Sequence, residues 1–182
     1  MRITREYSKR VRAALRELGI DAEAIAGRKL PMAAEARRLL YAGLGTDGRD
    51  KFLAPGAAQA WRSMQARAAG EHVELQLVSG FRSVEFQVAL IKGKRERGRS
   101  LEEILKVNAP PGYSEHHTGC ALDVGTPGCP PLEEAFESTP AFAWLQANAG
   151  RYGFRLSYPR NNRYGYLYEP WHWRWTRRPV RP

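Results

Sequence analysis

The stretch Ser114-Glu115-His116-His117-Thr118-Gly119-Cys120-Ala121-Leu122-Asp123 organises the chain. It carries two of the four histidines, a run of small residues, and an aspartate that closes a short apolar segment. A second cluster, Glu169-Pro170-Trp171-His172, follows later in the sequence. Together they supply two imidazoles, one carboxylate ligand and one spare carboxylate. That is the inventory of a catalytic zinc site, in which three protein ligands leave a coordination position open and a nearby base takes a proton from water. Zinc accepts imidazole nitrogen and carboxylate oxygen at about 2.0–2.2 Å. His116 and Asp123 are close enough for a loop entering a strand to set both on one side, and Gly119 and Ala121 leave room for close backbone approach. His172 is the best candidate for the third ligand. Glu169 stands three residues before it, a spacing that puts side chains on opposite faces of a regular strand. Pro170 interrupts regular pairing, so a bend is expected to bring Glu169 round as the base. His117 is expected to point away from its neighbour, as a supporting or surface residue. His72 reads as structural, at the head of a strand.

Outward from this stretch, residues 73–77 alternate apolar and polar and read as a half-buried strand leading into Ser79-Gly80-Phe81-Arg82-Ser83. Ser83 can cap a helix reaching about residue 97, and Ser100 with Glu103 forms a capping box for a helix to residue 107. Ala109-Pro110-Pro111-Gly112 breaks it and delivers the central stretch in a loop. Residues 120–124 read as a strand, 140–152 as a helix, 154–158 as a strand, and the aromatic stretch 164–175 as one or two strands. Before residue 70 the pattern is helical. Residues 4–18 place Tyr7, Val11, Leu15 and Leu18 at helical spacing. Asp21 can cap a short helix to residue 25, and residues 32–42 and 56–69 read as two further helices either side of a turn-rich loop, 43–50. Helices followed by mixed helix and strand imply an α+β fold: a small antiparallel sheet carrying the zinc site, flanked by helices. The expected division is a helical extension, residues 1–55, packed on a catalytic domain, residues 56–182.

The 182 residues, 43% of them hydrophobic, suffice for one packed core. No apolar run reaches the roughly 18 residues that a membrane span requires. The first residues lack the apolar core of a leader, which by sequence alone points to the cytoplasm; an envelope substrate would instead require export, with the cell envelope as the place of action. The net charge of +10 suits a basic surface or an anionic partner such as cell wall. The arginines are scattered over the first 100 positions and the tail Arg174, Arg177, Arg178 and Arg181, without a dense basic helix interleaved with aromatics, so nucleic acid is not the expected partner. Cys120 reads as a small buried filler; it and Cys129 are close enough in sequence to be bridged.

Three blocks, Ser79-Gly80-Phe81-Arg82-Ser83 with Gln87, Ser114 to Asp123, and Glu169-Pro170-Trp171-His172, resemble the signature blocks of VanY-type D-alanyl-D-alanine carboxypeptidases. These belong to the wider group containing lysostaphin-type peptidases and the hedgehog signalling domain. The resemblance covers residues from about 73 to 175. It implies zinc held by His116, Asp123 and His172, with Glu169 as general base. Arg82 would stabilise the oxyanion or hold the substrate carboxylate, which suits a fixed guanidinium. Gln87 and Ser114 would hydrogen-bond the terminal D-Ala. The implied function is removal of the C-terminal D-Ala from D-Ala-D-Ala-terminated peptidoglycan stem peptides or their precursors, by a monomer. Endopeptidase or L,D-carboxypeptidase activity, and a non-catalytic zinc module, are the alternatives. Of Trp171 and Trp173, one is expected in the core and one on the cleft wall.

Overall fold

The computed structural model describes residues 3–176. Its first helix, α1 (Arg5–Leu18), starts where Thr4 Oγ1 accepts from Tyr7 N and stops at Gly19, whose φ of 68° suits glycine. Its apolar stripe, Val11, Ala14, Leu15 and Leu18, is buried. A short helix, α2 (Ala22–Ala26), follows.

The helix expected over 32–42 is absent. Residues 31–39 run extended into β1 (Leu40–Leu44), which pairs antiparallel with β2 (Asp50–Leu53) around a five-residue turn, 45–49. The physical reason is the destination of the backbone donors. Ala33 N donates to Gly112 O at 2.7 Å and Ala36 N to His117 O at 2.8 Å, while Tyr7 Oη donates to Ala33 O at 2.6 Å. A helix would need those groups for its own ladder. An alanine-rich segment has only a weak helical bias, and tertiary partners override it. The segment is a strap laid along the loop that holds the two histidines.

The next helix, α3 (Pro55–Gly70), buries Ala57, Ala58, Trp61, Met64 and Ala68. It leads to β3 (Gln76–Ser79), and Ser83 then caps α4 (Val84–Glu96) through Phe86 N. The capping box of Ser100 and Glu103 opens α5 (Leu101–Val107). A 3-10 turn over Glu115–Thr118 precedes β4 (Ala121–Gly125). The helix expected over 140–152 divides into α6 (Pro140–Asn148) and a 3-10 turn ending at Gly153. Two short strands complete the chain, β5 (Phe154–Leu156) and β6 (His172–Trp175). Of the aromatic stretch 164–175 only the last four residues are strand. Tyr158 and Tyr166 are instead spent on a small core with Ala109.

The larger sheet has the order β3-β4-β6-β5, all pairs antiparallel. Strand period two gives it two different faces. Leu122 and Val124 of β4, with Leu77 and Trp173, face the core formed with α3 and α6. Asp123 and His172 alternate with them and face the other way. A second core joins Val11, Leu15 and Leu18 of α1 to Val84, Val88 and Ile91 of α4 and Ile104 of α5. The result is the α+β architecture expected, with a polar site on one face of a small antiparallel sheet. No helix among the described residues is long and apolar enough to cross a membrane.

Candidate active site

Asp123 and His172 are register partners on β4 and β6, so the pairing of two central strands sets them side by side. His116 comes from the 3-10 turn. Ser114 Oγ accepts from His116 N at 3.3 Å to start that turn, and Gly119, at a φ of 65°, ends it. An alanine there would bring its Cβ to 2.8 Å from Ala54 N, so the turn needs glycine for space as well as conformation. One ligand atom from each of His116, Asp123 and His172 lies within 4.8 Å of the others, and all three residues are buried. His116 Nε2 is 3.3 Å from Asp123 Oδ2, and His172 Nδ1 is 3.0 Å from Asp123 Oδ1.

The outer nitrogens of the two imidazoles are both occupied. His116 Nδ1 donates to Gly80 O at 2.6 Å, which leaves the Nε2 lone pair facing the cluster. His172 Nε2 donates to Glu115 Oε2 at 3.1 Å, which leaves Nδ1 facing it. A backbone carbonyl behind one histidine and a carboxylate behind the other is the arrangement that orients metal-binding imidazoles. Two nitrogens and one carboxylate oxygen, in a buried setting, fit zinc.

Electrostatics follow from this packing. Burial, with Arg82 nearby, pushes His116 down to about 4, so it stays neutral. Burial opposes a charge on His172, but its hydrogen bonds to Asp123 and Glu115 overcome this and raise it to about 10. Burial acts to raise Glu115, yet its bonds to His172, Arg174 and Ser157 hold it at about 2. Asp123 is held well below its ordinary range despite burial, by His116, His172 and Arg82. Glu169 behaves oppositely: burial dominates and pushes it up to about 7, although His172 pulls the other way.

Glu169 reaches the cluster because Pro170 and Trp171 form a tight turn, closed by His172 N donating to Glu169 O at 3.1 Å. Its Oε2 ends 3.9 Å from His172 Nδ1, so the bend expected from Pro170 is present. Arg82 Nη2 pairs with Asp123 Oδ2 at 2.6 Å, and its Nε donates to Ser79 Oγ. Gln87 is fully buried; its Nε2 donates to Ala109 O at 2.9 Å and its Oε1 has no partner among the described residues. All six candidate side chains beyond Ser114 border one cavity of about 350 Å³, and Ser114 borders it too. Trp171 is on its wall, and Trp173 is in the core with Nε1 donating to Pro170 O.

Other expectations need adjusting. His117 does stay out of the cluster, but it is fully buried. Its Nδ1 donates to Arg82 O at 2.7 Å, and its Nε2 accepts from Gly112 N at 3.0 Å. It is a neutral strut fixing the loop that carries Arg82. His72 is exposed in the turn after α3, before the strand begins. Cys120 and Cys129 are not joined by a disulfide. Arg177, Arg178 and Arg181 lie outside the described residues. Two residues were not anticipated. Tyr158 stacks on His172 with ring centroids 4.6 Å apart, and Glu115 anchors the same ring from behind. The only sequence signal for Glu115 is its place beside His116 in a stretch otherwise made of small and histidine residues.

Comparison with known proteins places the chain in a family. The family model described as VanY, D-alanyl-D-alanine carboxypeptidase, matches residues 50–178. A putative carboxypeptidase of Bacillus subtilis, YodJ, is 37% identical over 135 residues, covering 69% of this chain and 47% of that protein. The bifunctional D-Ala-D-Ala dipeptidase and carboxypeptidase VanXYC of Enterococcus gallinarum is 32% identical over 148 residues, covering 71% of this chain and 70% of that protein. The chain thus spans about half the length of the Bacillus relative. Among solved structures, the LdcB LD-carboxypeptidase superposes with a TM-score of 0.69 at 34% identity, over 80% of this chain and 71% of that one. VanYB in complex with D-alanine-D-alanine shares the fold, with a TM-score of 0.60 at 23% identity over 80% of each chain. The match over residues 50–178 contains all three sequence blocks and the His116, Asp123 and His172 cluster, and the chain belongs to the VanY family of D-alanyl-D-alanine carboxypeptidases.

Proposed function

We propose that this chain is a zinc-dependent carboxypeptidase that removes the C-terminal D-Ala from D-Ala-D-Ala-terminated stem peptides of peptidoglycan. The observation that carries the reading is the buried carboxyl of Glu169, 3.9 Å from His172 Nδ1 in a cavity also bordered by Arg82 and Gln87. His116 Nε2, one Asp123 oxygen and His172 Nδ1 would hold the zinc. Zinc in such a donor set supplies Lewis-acid polarisation and lowers the pKa of water. Glu169 takes a proton from the attacking water at its carboxylate. It returns that proton to the amine nitrogen as the C–N bond breaks, so that two carboxyl-terminated fragments and no net charge change result. The Arg82 guanidinium faces the oxygen that gains charge, or the terminal carboxylate, and Asp123 fixes its direction. Ser114 and the unpartnered Oε1 of Gln87 supply polar contacts for the leaving residue. Trp171 closes one wall against water.

A second reading, L,D-carboxypeptidase activity, draws on the 34% identity and TM-score of 0.69 with the LdcB LD-carboxypeptidase. The two readings differ only in the residue before the scissile bond. Mass-spectrometric digestion of a pentapeptide ending in D-Ala-D-Ala, and of the tetrapeptide it would yield, separates them. Loss of one alanine from the pentapeptide, with zinc and not with chelator, is the expected result. An intact pentapeptide and a shortened tetrapeptide would establish the second reading; both intact, with zinc bound, would overturn both. We further propose that residues 1–55 form an extension packed on residues 56–182, and that the protein acts as a monomer.

A further inference from the structure

Lys94 carries a charge that no carboxylate among the described residues contacts, and Glu169 acts on it only from across the cavity. Gln87, Leu90 and Lys94, at positions i, i+3 and i+7 of α4, border the same cavity as His116 and Glu169. The Lys94 ammonium is half-buried and donates to Asn108 Oδ1 at 2.6 Å, a neutral amide that is only 8% exposed. Among the described residues no carboxylate oxygen lies within 4.0 Å of it. Arg99 brings a second cation to the cavity. It is exposed, its backbone N donates to Lys94 O at 3.2 Å, and its guanidinium has no ion pair among the described residues. Glu133, on the cavity rim, is exposed and pairs with neither.

An ammonium taken out of water is ordinarily matched by a counter-ion, because desolvation costs more than a neutral hydrogen bond returns. Burial, together with the positive charge of Arg99 and Arg82, accordingly pulls the Lys94 pKa down, although Glu169 across the cavity acts the other way. Positive charge without a contacting counter-ion on the wall of a substrate cavity is complementary to an anion. We propose that Lys94, with Arg99 beside it, is an anion subsite that takes a carboxylate of the peptide substrate. The inference rests on the carboxypeptidase reading and names what that site requires of its substrate.

A peptide offers that carboxylate from two places. The C-terminal carboxylate of the leaving residue lies within about 4 Å of the scissile carbon. An acidic side group on the acyl side lies farther, at about 3.4 Å per residue of extended chain. Lys94 stands about 10.5 Å beyond Gln87 along the helix axis, and its side chain leans back toward the helix start, so its ammonium can serve either.

The test uses the full zinc-loaded chain and three acetylated peptides ending in D-Ala-D-Ala. One has alanine before the D-Ala pair, one has glutamate there, and one is the alanine peptide as its C-terminal amide. Both kcat/KM and calorimetric affinity are measured for wild type, Lys94→Gln and Arg99→Ala. Glutamine still donates to Asn108, so the fold is kept, and a melting curve verifies it. In Lys94→Gln the carboxylate-bearing peptide is expected to lose about tenfold or more, and the peptide without that carboxylate to be unchanged. A loss confined to the free-acid member of the acid–amide pair identifies the C-terminal carboxylate; a loss confined to the glutamate peptide identifies the acyl side. An equal change on all three peptides, or none on any, overturns the subsite. If wild type cleaves none of them, the carboxypeptidase reading falls. The calorimetric affinities still decide the subsite: carboxylate-dependent binding lost in Lys94→Gln supports it, and equal binding of all three overturns it.

Discussion

Replacing Glu115 with alanine is expected to weaken zinc binding although Glu115 is not among the proposed zinc ligands and does not border the cavity that holds them. Its carboxylate accepts from His172 Nε2 at 3.1 Å and Ser157 Oγ at 2.6 Å through one oxygen, and from Arg174 Nη1 at 2.8 Å through the other. Its side chain is 12% exposed and borders a separate groove on the far side of the His172 ring. Alanine leaves the imidazole held by its Nδ1 contact with Asp123 and by Tyr158 stacking, without the acceptor that fixes its proton on Nε2. Loss of such an outer partner costs about 10–100-fold in metal affinity, or about 1.4–2.8 kcal/mol at 1.4 kcal/mol per decade. That agrees with about 1.5–3 kcal/mol for a single hydrogen bond to a charged group. Glutamine keeps an acceptor without the charge, so Glu115→Gln should lose less. The assay is competition for zinc against a chromophoric chelator, with melting curves in chelator to register the stability lost when Arg174 and Ser157 are left unpaired. A folded Glu115→Ala variant that binds zinc within about twofold of wild type would refute the argument that this carboxylate orients the ligand.

Glu169→Ala is expected to lower the turnover of the pentapeptide by about 10²–10⁴-fold while the zinc stoichiometry stays unchanged; peptide turnover alongside metal analysis reads both. His117→Ala strands Gly112 N and Arg82 O in a buried setting and should cost about 2–4 kcal/mol in chemical denaturation, with zinc affinity of the folded fraction preserved. Gly119→Ala forces a non-glycine φ of 65° and a 2.8 Å contact with Ala54 N, and should lower the denaturation midpoint by the equivalent of about 1–3 kcal/mol. Alkaline titration tests the strap. Burial, and then the charge of Glu35, raise the Tyr7 hydroxyl from 10.0 to about 12. A folded-state pKa above the unfolded one gives stability that is complete below pH 10.0 and is lost as the pH rises toward about 12. Wild type should lose stability across that window, and Tyr7→Phe should show a smaller loss there by denaturant unfolding.

The reading from sequence succeeded where chemistry and local pattern coincide. Ser83, Ser100 with Glu103, and Gly19 each carry their helix boundary in a side chain or a backbone conformation, and each boundary lies where the pattern puts it. The cluster of His116, Asp123 and His172 was legible because few residue types bind zinc and the order of the three blocks is distinctive. What escaped depends on partners distant in sequence. Residues 31–39 have helical composition, and only the carbonyls of Gly112 and His117 make them extended. Glu115 looks like a cap-position acid until β6 brings His172 within 3.1 Å of it. Lys94 looks like one more solvated lysine in a basic helix until Asn108 covers it. The short reach of β5 and β6 has the same origin, since the pairing needed by residues 164–170 is replaced by contacts of the Tyr158 and Tyr166 rings.

The strap also constrains the order in which the protein can fold. Its residues are synthesised first, yet Ala33 and Ala36 find their acceptors at Gly112 and His117, about 80 positions later. Strand β4 is likewise incomplete until β6 arrives, roughly 50 residues on. The segments that frame the histidines are therefore closed by contacts of high sequence separation, which slow folding and leave strand edges open meanwhile. A nascent chain would hold α1 and α3 as local structure while the cluster of His116, Asp123 and His172 is still unassembled. The proposed peptide-cleaving capacity would then emerge late, when the end of the sheet zips into place.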